Sequence, residues 1–410
     1  MGIILNEGQE KAAADLAKWI NCPYSNMFKI SGGPGTGKTT MLKSALSRTS
    51  LKENEIAYCA FTGKVVNRMR EAGLNSQTIH STIYMMEKEY MRNGDGSIKI
   101  GKNGAPIFKN RRIKRDYLPD NIKLIVVDEA PMVADEYMTD LLSYGIPLVA
   151  VGDINQLPAP FGSCTFFRHP NVHLTQIMRQ AEGSPIIYLA EMAKRGQYIK
   201  PGWYGKTCYV GDTTMVKMNN SLLAKAGVVI VSSNKSRDYV NQFIRKKVLG
   251  RKDDTPVIGD KMICRRNNWN IVAEGYPLTN GSTGVIDYID RSTFNGKKLS
   301  LDFHADYLNG CYYNLDIDIN YLHSTWEEKK DIGLYTNGNL MDYAYALTCQ
   351  LAQGSEYNSV FIRDEHNGGN ESYHRKWLYT AITRAKKGLI ICNNFHRPKK
   401  YFTIFKSKVA

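Results

Sequence analysis

The chain has 410 residues, of which 43% are hydrophobic and 23% charged, an ordinary balance for a globular protein of about two to four domains. The formal net charge of +15 makes nucleic acid or another polyanion the expected partner, although a basic protein without such a partner is the alternative. No apolar run reaches the ~20 residues that span a bilayer, and the N-terminus lacks the charged start and cleavage site of a signal peptide. We therefore expect a cytoplasmic protein with no membrane segment.

The eight cysteines are scattered along the chain, and none of them forms a C-x-x-C pair. Several lie in apolar runs with the character of strands. Zinc ligands and disulfide frameworks are recognised by paired spacings, which are missing here. We predict that the cysteines are reduced core residues of a cytosolic protein, not zinc ligands or disulfides.

The first predicted element is an amphipathic helix at residues 8–20, where Ala, Leu, Trp and Ile recur at helical spacing. Gln9 lies at its start, ahead of a glycine-rich stretch. A glutamine amide has a paired donor and acceptor, so that it could read adenine. A solvated polar residue on a helix fits the spacing about as well.

Residues 32–39, GGPGTGKT, fit the pattern G-x-x-x-x-G-K-[ST] of a phosphate-binding loop. A short apolar strand pattern precedes them and a helix start follows, which is the context that the motif requires. Glycines let the backbone wrap phosphates, and successive N–H groups form an anion site at a helix N-terminus. We expect Lys38 to reach the β- and γ-phosphates and the Thr39 hydroxyl to hold Mg²⁺. The predicted nucleotide contacts in this stretch are Gly33, Pro34, Gly35, Thr36, Gly37, Lys38, Thr39 and Thr40.

Two short motifs follow the phosphate-binding loop. A strand pattern at residues 55–61 ends at Thr62-Gly63-Lys64, and Thr78-Ile79-His80 comes after the next helical stretch. Small polar and basic side chains at strand ends and helix starts suit the backbone phosphates of a nucleic-acid strand. Each of these signals is weak by itself.

Residues 86–116 interrupt the alternation of strands and helices. Within them, residues 97–108 are typical of a β-hairpin with a turn near Asn103-Gly104, and a basic cluster follows at residues 109–115. We interpret the segment as an insertion in the first α/β domain. A solvated surface hairpin is the alternative.

A buried strand is predicted at residues 122–127, IKLIVV, and it delivers the adjacent carboxylates of Asp128 and Glu129. Beside a phosphate-binding loop, such a pair is the second half of an ATPase site. We expect Asp128 to hold Mg²⁺, often through water, and Glu129 to polarise the attacking water.

Two further candidates follow in the chain. Gln156 comes after a predicted strand at residues 146–151 and is placed to sense the γ-phosphate. Arg179, in the sequence LTQIMRQ, could stabilise the charge that develops in the transition state. A surface salt bridge is the alternative for Arg179.

A second α/β unit is predicted from about residue 181 onwards. It starts with a strand at residues 227–231 and a helix at about 236–248. Period-two alternation from about residue 283 to 335 then indicates a small β-barrel inserted in this unit. A helix near the end carries YTAITRA at residues 379–385.

The ordered motifs of this chain resemble those of superfamily 1 helicases. They are, in chain order, GGPGTGKTT, AFTGK, TIHS, VVDEAP, GDINQLP, MRQ, VSSNK, LAQGSE and YTAITRA, and they extend over nearly all of the chain. The chain is most similar to the RecD/Dda-like branch, because of its TIH element, its NGSTGVI segment and its compact β insertion. Its size resembles that of a phage-type enzyme.

The resemblance implies an α/β fold of two RecA-like P-loop domains with parallel sheets, 1A and 2A, with ATP between them. It also implies two insertions, a β-hairpin pin that splits the duplex (1B) and a small SH3-like β-barrel (2B). The implied boundaries are 1–85 and 117–180 for 1A, 86–116 for 1B, 181–284 and 341–410 for 2A, and 285–340 for 2B.

By motif match, the resemblance assigns Gln9 to adenine and makes Arg179 and Arg384 the arginine fingers from the two sides of the cleft. Gly354 and Glu356 would approach the phosphates and ribose. The implied contacts to the DNA backbone are Thr62, Lys64, Thr78, His80, Asn234 and Thr348.

One motif departs from the family pattern, which usually begins Thr-x-His-Lys. Here Gln350 and Leu351 stand in place of the His and Lys. We therefore do not expect those two contacts to be made in the family's way, whereas the neighbouring Gln353-Gly354 is unaffected.

The implied activity is ATP hydrolysis with Mg²⁺, coupled to 5′→3′ movement on single-stranded DNA and to unwinding of duplex DNA by a monomer. The enzyme would act at single-strand–duplex junctions in the cytoplasm, or in the host cytoplasm if it is phage-encoded. Candidate partners are single-strand-binding or replication proteins, and candidate pathways are replication, recombination and repair. The rival interpretations are a translocase or remodeller without strong unwinding, a viral-type RNA helicase, and a non-enzymatic DNA-binding subunit.

Overall fold

A computed structural model of the protein describes most of the chain. The described residues are 5–100, 106, 108–158, 162–176, 183–212, 223, 225–251, 255–329, 338–365 and 370–393. Their strands form two six-stranded sheets, one five-stranded sheet and two two-stranded sheets. We call the part before residue 177 the first domain and the part after residue 182 the second domain.

The first domain contains the first six-stranded sheet and one two-stranded ribbon. Its elements are, in chain order, α1 (Glu7–Asn21), β1 (Met27–Gly32), α2 (Lys38–Leu46), β2 (Ile56–Ala60), α3 (Gly63–Glu71), β3 (Ser76–Thr78), α4 (Ile79–Ile83), β4 (Tyr84–Tyr90), β5 (Phe108–Lys114), β6 (Leu124–Asp128), α5 (Asp135–Leu142), β7 (Leu148–Gly152) and β8 (Val172–Leu174).

Six strands of the first domain pair in parallel in the order β3-β2-β6-β7-β1-β8. Strands β6 and β7 are almost continuous apolar runs, as expected of strands that are covered on both faces. Val126 packs in a cluster with residues of α1, α2 and α3, and its neighbour Val127 packs in another with residues of α4 and α5. Because the strands are parallel, the residues that follow their carboxyl ends meet at one edge of the sheet.

Strands β4 and β5 pair antiparallel along their whole length and form the β4–β5 ribbon. Two isolated antiparallel bridges, Arg92 with Ile98 and Ile100 with Pro106, lie between β4 and β5 in the chain. The predicted turn at Asn103-Gly104 lies outside the described residues. The paired strands extend beyond the hairpin predicted at residues 97–108 and include residues 84–90 and 108–114. Local pattern did not indicate β4, because its sequence YMMEKEY is rich in Met, Glu and Lys, which have weak strand propensity.

The second domain contains the other two large sheets. Its elements are α6 (Pro185–Lys194), β9 (Gly202–Tyr204), β10 (Cys208–Asp212), β11 (Val228–Val231), α7 (Asn234–Phe243), β12 (Lys261–Cys264), β13 (Asn268–Ala273), β14 (Tyr276–Leu278), β15 (Thr283–Asp290), β16 (Lys298–Ala305), β17 (Tyr312–Asp318), α8 (Ile319–His323), β18 (Met341–Tyr343), β19 (Ala346–Thr348), α9 (Cys349–Ala352), β20 (Tyr357–Asp364), α10 (Glu371–Ile382) and β21 (Ala385–Asn393).

The second six-stranded sheet has the order β19-β11-β20-β21-β10-β9. Its strands are parallel except for the edge strand β9, which runs antiparallel to β10. Side chains of α6, α9 and α10 share one hydrophobic cluster with residues of β11 and β20. The predicted strand at 227–231 and helix at 236–248 correspond to β11 and to α7 with its π-helical extension Ile244–Val248.

Five strands between α7 and β19 form an antiparallel sheet in the order β17-β16-β15-β12-β18. We call this sheet, with the β13–β14 hairpin beside it, the antiparallel body. It starts at β12, upstream of the predicted boundary at residue 285, and ends at β18, beyond the predicted boundary at residue 340. Residues 262–264 fall within the range 181–284 predicted for domain 2A, and the structure places them in β12 of the antiparallel sheet.

No helix within the described ranges is long and apolar enough to cross a membrane. All eight cysteines are free thiols, and six of them are buried. Those six agree with the prediction of reduced core residues, whereas Cys22 is exposed and Cys164 half-buried.

Candidate functional site

A cavity of about 890 Å³ lies in the cleft between the first and second domains. We call it the interdomain cavity. Its lining includes the predicted nucleotide-site residues Pro34, Gly35, Gly37, Lys38, Thr39, Thr40, Asp128, Glu129, Gln156, Gly354, Glu356 and Arg384. The structure therefore brings together residues that are far apart in the sequence and that were predicted to act on ATP.

The phosphate-binding loop joins β1 to α2 as a tight turn. Gly35 and Gly37 each have a φ of 76°, a left-handed conformation that other residues rarely adopt. The Lys38 ammonium donates to the carbonyl oxygen of Gly32 at 2.7 Å and to that of Gly33 at 3.2 Å. Lys38 thus folds across the loop at the N-terminus of α2, where free N–H groups and the helix dipole favour an anion.

Gln9 is buried, and both ends of its amide are bonded. Its Oε1 accepts from the Asn6 N–H at 3.0 Å, and the reciprocal bond completes a capping box at the start of α1. Its Nε2 donates to the carbonyl of Thr36 at 2.9 Å. Gln9 therefore supports the phosphate-binding loop, and its contact with adenine stays a prediction.

Asp128 is the last residue of β6, Glu129 follows it, and Arg68 of α3 bonds both carboxylates. The Arg68 Nη2 donates to Asp128 Oδ2 at 3.0 Å and to Glu129 Oε1 at 3.2 Å. Asp128 Oδ1 accepts from the backbone N–H of Glu129 at 2.9 Å. Glu129 has a φ of 49°, and left-handed backbone at a residue other than glycine is typical of functional sites.

Sequence reasoning missed Arg68. The cavity-lining residues of α3 are Lys64, Asn67, Arg68 and Glu71. Their spacing of i, i+3, i+4 and i+7 places them on one face of the helix. A polar stripe at this spacing, directly after the TGK motif, was the signal that could have found Arg68.

The charges around Glu129 decide its protonation. Burial opposes ionisation of the Glu129 carboxyl, but Arg68, then Lys38 and Arg384, outweigh it and hold the pKa below its ordinary value. These cations come from both domains. Glu129 is therefore ionised at neutral pH and able to accept a hydrogen bond from an attacking water.

Gln156 and Arg384 face the same cavity from opposite domains. The side-chain oxygen of Gln156 is buried and has no hydrogen-bond partner among the described residues. A buried polar atom of this kind calls for a partner such as a ligand or water. The buried guanidinium of Arg384 is held by the carbonyls of Thr380, at 3.1 Å, and Ser355, at 3.2 Å.

Residues 153–157, which carry Gln156, are hydrogen-bonded to the second domain. We call the following four contacts the interdomain latch. They are the Tyr379 hydroxyl to Asp153 Oδ2 at 2.7 Å, the Leu157 N–H to the Thr380 hydroxyl at 2.9 Å, the Gln353 Nε2 to the Leu157 carbonyl at 3.1 Å, and the Lys376 ammonium to the Ile154 carbonyl at 3.1 Å. The first contact lies beside the phosphate-binding loop, since a Cβ on Gly33 would be 3.1 Å from the Tyr379 hydroxyl.

A second cavity, of about 880 Å³, borders the other side of the phosphate-binding loop. Gly33, Thr36 and Tyr379 line it together with residues of α6. Glu356 lines both cavities and forms an ion pair with Lys386 at 3.3 Å. A nucleotide with its phosphates on the loop would therefore have room for its ribose and base on either side.

The threonines predicted to hold DNA are helix N-caps. Thr62, Thr78 and Thr348 cap α3, α4 and α9 through their hydroxyls, and Asn234 is the first residue of α7. These helices follow β2, β3, β19 and β11, so their N-termini lie at the carboxyl edges of the two parallel sheets. Backbone N–H groups at helix N-termini favour anions, which makes these positions suitable for DNA phosphates. The contacts with DNA stay predictions.

The start of α3 also touches the antiparallel body. The Lys64 ammonium lies 3.4 Å from the Thr283 hydroxyl and 3.5 Å from the Tyr357 hydroxyl. A Cβ on Gly63 would lie only 2.4 Å from the Cβ of Thr279. Lys64, which was predicted to bind DNA, therefore lies in the interdomain cavity and bridges the two domains.

His80 packs among the rings of Phe61, Tyr84 and Tyr137. Burial, with a smaller contribution from Arg112, lowers its pKa to about 4. His80 is therefore neutral at pH 7, and a contact with DNA would be a hydrogen bond and not an ion pair.

Gln350 and Leu351 are not among the residues that line the interdomain cavity. Arg179 is outside the described residues. Gln350 donates to the Tyr373 hydroxyl at 2.8 Å, and Leu351 packs against the hydrophobic cluster of the second domain. The two side chains that replace the family's His and Lys are thus engaged within the second domain.

The donor set of the interdomain cavity fits Mg²⁺ that arrives with a triphosphate. Thr39 offers a hydroxyl and Asp128 a carboxylate, and both line the cavity. Mg²⁺ is usually held by one or two carboxylates together with substrate phosphates and water. A cluster of three or more His, Cys, Asp or Glu side chains, which would hold a metal alone, is not found among the described residues.

Comparison with known families and proteins agrees with the helicase resemblance of the sequence motifs. The family described as "AAA domain" matches residues 4–214, more than half of the chain, and the family described as "UvrD-like helicase C-terminal domain" matches residues 343–392. The chain is similar to "RecBCD enzyme subunit RecD" of Buchnera aphidicola, with 32% identity over 95% of this chain and 74% of that protein.

Two further relatives are named as helicases. The "ATP-dependent RecD2 DNA helicase" of Deinococcus radiodurans is 25% identical over 87% of this chain and 45% of its own length. The "ATP-dependent DNA helicase dda" of phage T4 is 26% identical over 64% of this chain and 61% of its own length. The chain thus spans less than half of the RecD2 relative.

Solved structures of Pif1 helicases share the fold. Bacteroides Pif1 in complex with ADP-AlF3 and ssDNA has a TM-score of 0.55 and 14% identity, covering 100% of this chain and 99% of that chain. A Pif1 structure concerned with unwinding at forked dsDNA has a TM-score of 0.56 and 17% identity, covering 99% of this chain and 97% of that chain. The likeness agrees with an α/β fold of two RecA-like domains.

The family matches and the RecD relative agree with the ordered motifs and with the residues that meet in the cleft. The chain therefore belongs to the superfamily 1 helicases of the RecD and Dda type.

Proposed function

We propose that this chain is an ATP-dependent DNA helicase that moves 5′→3′ along single-stranded DNA and separates duplex DNA. The observation that supports this best is the interdomain cavity, where Lys38, Asp128 and Glu129 of the first domain meet Arg384 of the second. Groups from both domains are needed to surround a triphosphate, so binding and movement can be coupled. Relatives named as ATP-dependent DNA helicases point to the same activity.

Each of these cavity residues would have a different role in ATP hydrolysis. Thr39 and Asp128 would hold the Mg²⁺ that accompanies ATP, and this ion would offset phosphate charge. Glu129 would orient and polarise the attacking water, because it is ionised and lies beside the phosphate-binding loop. Arg384 would stabilise the charge that develops on the transferred phosphoryl group. The unpartnered oxygen of Gln156 would accept a hydrogen bond from the attacking water and so sense the γ-phosphate state.

The same groups would drive movement. ATP that contacts both domains favours the closed cleft, and loss of the γ-phosphate contacts allows it to reopen. The N-termini of α3 and α4 in the first domain and of α7 and α9 in the second would grip backbone phosphates in turn. Alternating grip of this kind converts each ATP cycle into a step along the strand.

We also assign roles to the two insertions. The β4–β5 ribbon would be the pin that separates the strands, and the antiparallel body would be the SH3-like 2B domain. At the end of β4 and in the residues that follow it, Tyr90, Met91, Ile98 and Ile100 are exposed to solvent. Apolar side chains can pack against the end of a base-pair stack, so these residues could serve as the wedge.

Duplexes with either a 5′ or a 3′ single-stranded tail test the proposal, with strand separation measured in the presence of ATP and Mg²⁺. We expect unwinding from the 5′ tail only. Lys38→Ala should abolish both unwinding and ATPase activity, because the loop loses the cation that reaches the β- and γ-phosphates.

Other results would change the assignment in defined ways. Unwinding from the 3′ tail alone would reverse the polarity. ATPase activity stimulated by single strands without strand separation would indicate a translocase, and unwinding of RNA duplexes alone would indicate the viral-type RNA helicase. Near-normal ATPase activity of Lys38→Ala would reject the site itself.

We further propose that the protein acts as a monomer in the cytoplasm, with single-strand-binding or replication proteins as partners. The interdomain cavity supports monomeric action, because residues of one chain line it from both domains. Sedimentation of the protein on a tailed duplex would show one copy per tail if this is correct and two or more if it is not.

A further inference from the structure

Arg68 uses one nitrogen, Nη2, to bond both carboxylates of the Asp128–Glu129 pair, at 3.0 and 3.2 Å. It lies on α3, outside the phosphate-binding loop and outside the segment that carries the two carboxylates. Asp128 and Glu129 in turn raise the pKa of Arg68, against the effect of its burial. The three side chains therefore form one compact charged unit on the wall of the interdomain cavity.

Both oxygens of Asp128 are already in use. Oδ2 accepts from Arg68, and Oδ1 accepts from the Glu129 N–H at 2.9 Å. Asp128 is also the carboxylate that would hold Mg²⁺, directly or through water. A guanidinium and a divalent cation cannot occupy the same side of one carboxylate, because like charges at this distance repel strongly in a partly buried site.

We propose that Arg68 compensates the charges of Asp128 and Glu129 before nucleotide binds, and that the incoming metal–nucleotide complex displaces it from Asp128. Arg68 is thus a positioning residue that competes with Mg²⁺. This inference rests on the proposed binding of ATP with Mg²⁺ in the interdomain cavity.

The competition between Arg68 and Mg²⁺ also affects Glu129. While Arg68 donates to Glu129 Oε1, its guanidinium occupies one hydrogen-bond acceptor position of that oxygen. Release of Arg68 would free the oxygen when the metal and the phosphates are in place. Glu129 would therefore become available as a base only when ATP and Mg²⁺ are both bound.

The Lys64 and Glu71 side chains line the cavity on the same face of α3 as Arg68. Glu71 lies one turn away from Arg68, and burial raises its pKa while Arg68 opposes that rise. A displaced guanidinium would therefore have another carboxylate within the reach of a small rotation. Displacement does not require α3 to unfold or to move as a whole.

Equilibrium binding of a fluorescent methylanthraniloyl-ADP tests the competition without turnover. The dissociation constant is measured with Mg²⁺ and again with EDTA, and the ratio of the EDTA value to the Mg²⁺ value gives the gain from the metal. In Arg68→Gln the metal no longer has to displace a cation, so we expect this ratio to rise at least tenfold over wild type. Arg68→Lys keeps the charge but loses the planar geometry, and its ratio should lie between the two.

Arg70→Gln is the matched control. Arg70 lies on the same helix, but its Nε donates to the Ser76 carbonyl at 3.0 Å and away from the carboxylate pair. Its ratio should equal that of wild type. Circular dichroism checks that each variant is folded. If Arg68→Gln is unfolded, the ratio measured for Arg68→Lys tests the proposal.

An unchanged or smaller ratio in a folded Arg68 variant would overturn the competition, while nucleotide binding by wild type would leave the proposed function standing. Wild-type protein that binds no ADP with Mg²⁺ would overturn the proposed function, and this inference with it. The two failures are therefore told apart by the wild-type measurement alone.

Discussion

Glu129 is the residue at which the chemistry of the cleft is most directly tested. Glu129→Gln keeps the size of the side chain but removes the proton acceptor. We expect nucleotide binding to change little and the DNA-stimulated kcat to fall by about 10²–10⁴, the usual contribution of general-base catalysis. The exposed carboxylate of Glu136 provides the control variant Glu136→Gln, which should be as active as wild type. Loss of nucleotide binding in Glu129→Gln would show that its role is structural.

His80 provides a prediction about pH. Its pKa is lowered from 6.5 to about 4, so the folded protein keeps it neutral while the unfolded chain protonates it first. The stability that depends on neutral His80 is complete above pH 6.5 and is lost as the pH falls towards 4. His80→Phe should therefore flatten the fall of Tm over this range.

Thermal denaturation at several pH values measures this effect. His173→Gln, at an exposed histidine of β8, is the control and should follow wild type. An equally steep fall of Tm in His80→Phe would mean that other groups cause the acid sensitivity.

Single residues also show what the sequence can reveal. Lys38, Asp128 and Glu129 were predictable because a motif of consecutive residues fixes their local geometry, and all three line the cavity. Arg68 was missed because its contact with the carboxylates depends on how α3 packs beside β6, and no short motif encodes that packing. Gln9 was recognised by position, but its bond to the Thr36 carbonyl could not be foreseen.

At the scale of elements, the interdomain latch joins the segment after β7 to α10. Tyr379→Phe removes one hydrogen bond to the buried Asp153, which should cost about 1–3 kcal/mol because the carboxylate loses a donor. We expect a lower Tm and a lower DNA-stimulated ATPase rate, since Gln156 lies in the segment that the latch holds.

The same helix supplies the control for this change. Tyr373 is exposed, and its hydroxyl accepts from Gln350, so Tyr373→Phe removes a hydroxyl without touching the latch. Calorimetry and steady-state ATPase assays compare the two variants. Equal effects of both changes would show that the latch does not couple the domains.

Strands β4 and β12 lie partly or wholly outside the predicted insertions for the same reason. Strand β4 has a sequence with weak strand propensity and is held by its pairing with β5. Strand β12 is four residues long and pairs with β15 and β18, which are distant in sequence. Tertiary pairing decides both, so the boundaries at residues 86 and 285 could not be read from local pattern.

At the scale of the whole molecule, the net charge of +15 should appear in DNA binding. Binding to single strands should weaken with salt, with a slope of log K against log [NaCl] of about −0.7 for each phosphate neutralised. Affinities for oligo(dT) and mixed sequences of equal length should be similar, because backbone contacts carry no base readout. Fluorescence anisotropy at several NaCl concentrations measures both, and a flat salt dependence would show that the positive charge is not used on DNA.

Helix α3 connects a contact with the antiparallel body to the charged groups of the cleft. Its first residue, Gly63, abuts Thr279 of the antiparallel body, and five residues later Arg68 holds the carboxylates of the cleft. A helix of this length is stiff, so a displacement of its first residue also moves Arg68. Such coupling is reciprocal. A displacement of the antiparallel body should therefore change how tightly the cleft holds its nucleotide, and nucleotide in the cleft should in turn shift the antiparallel body.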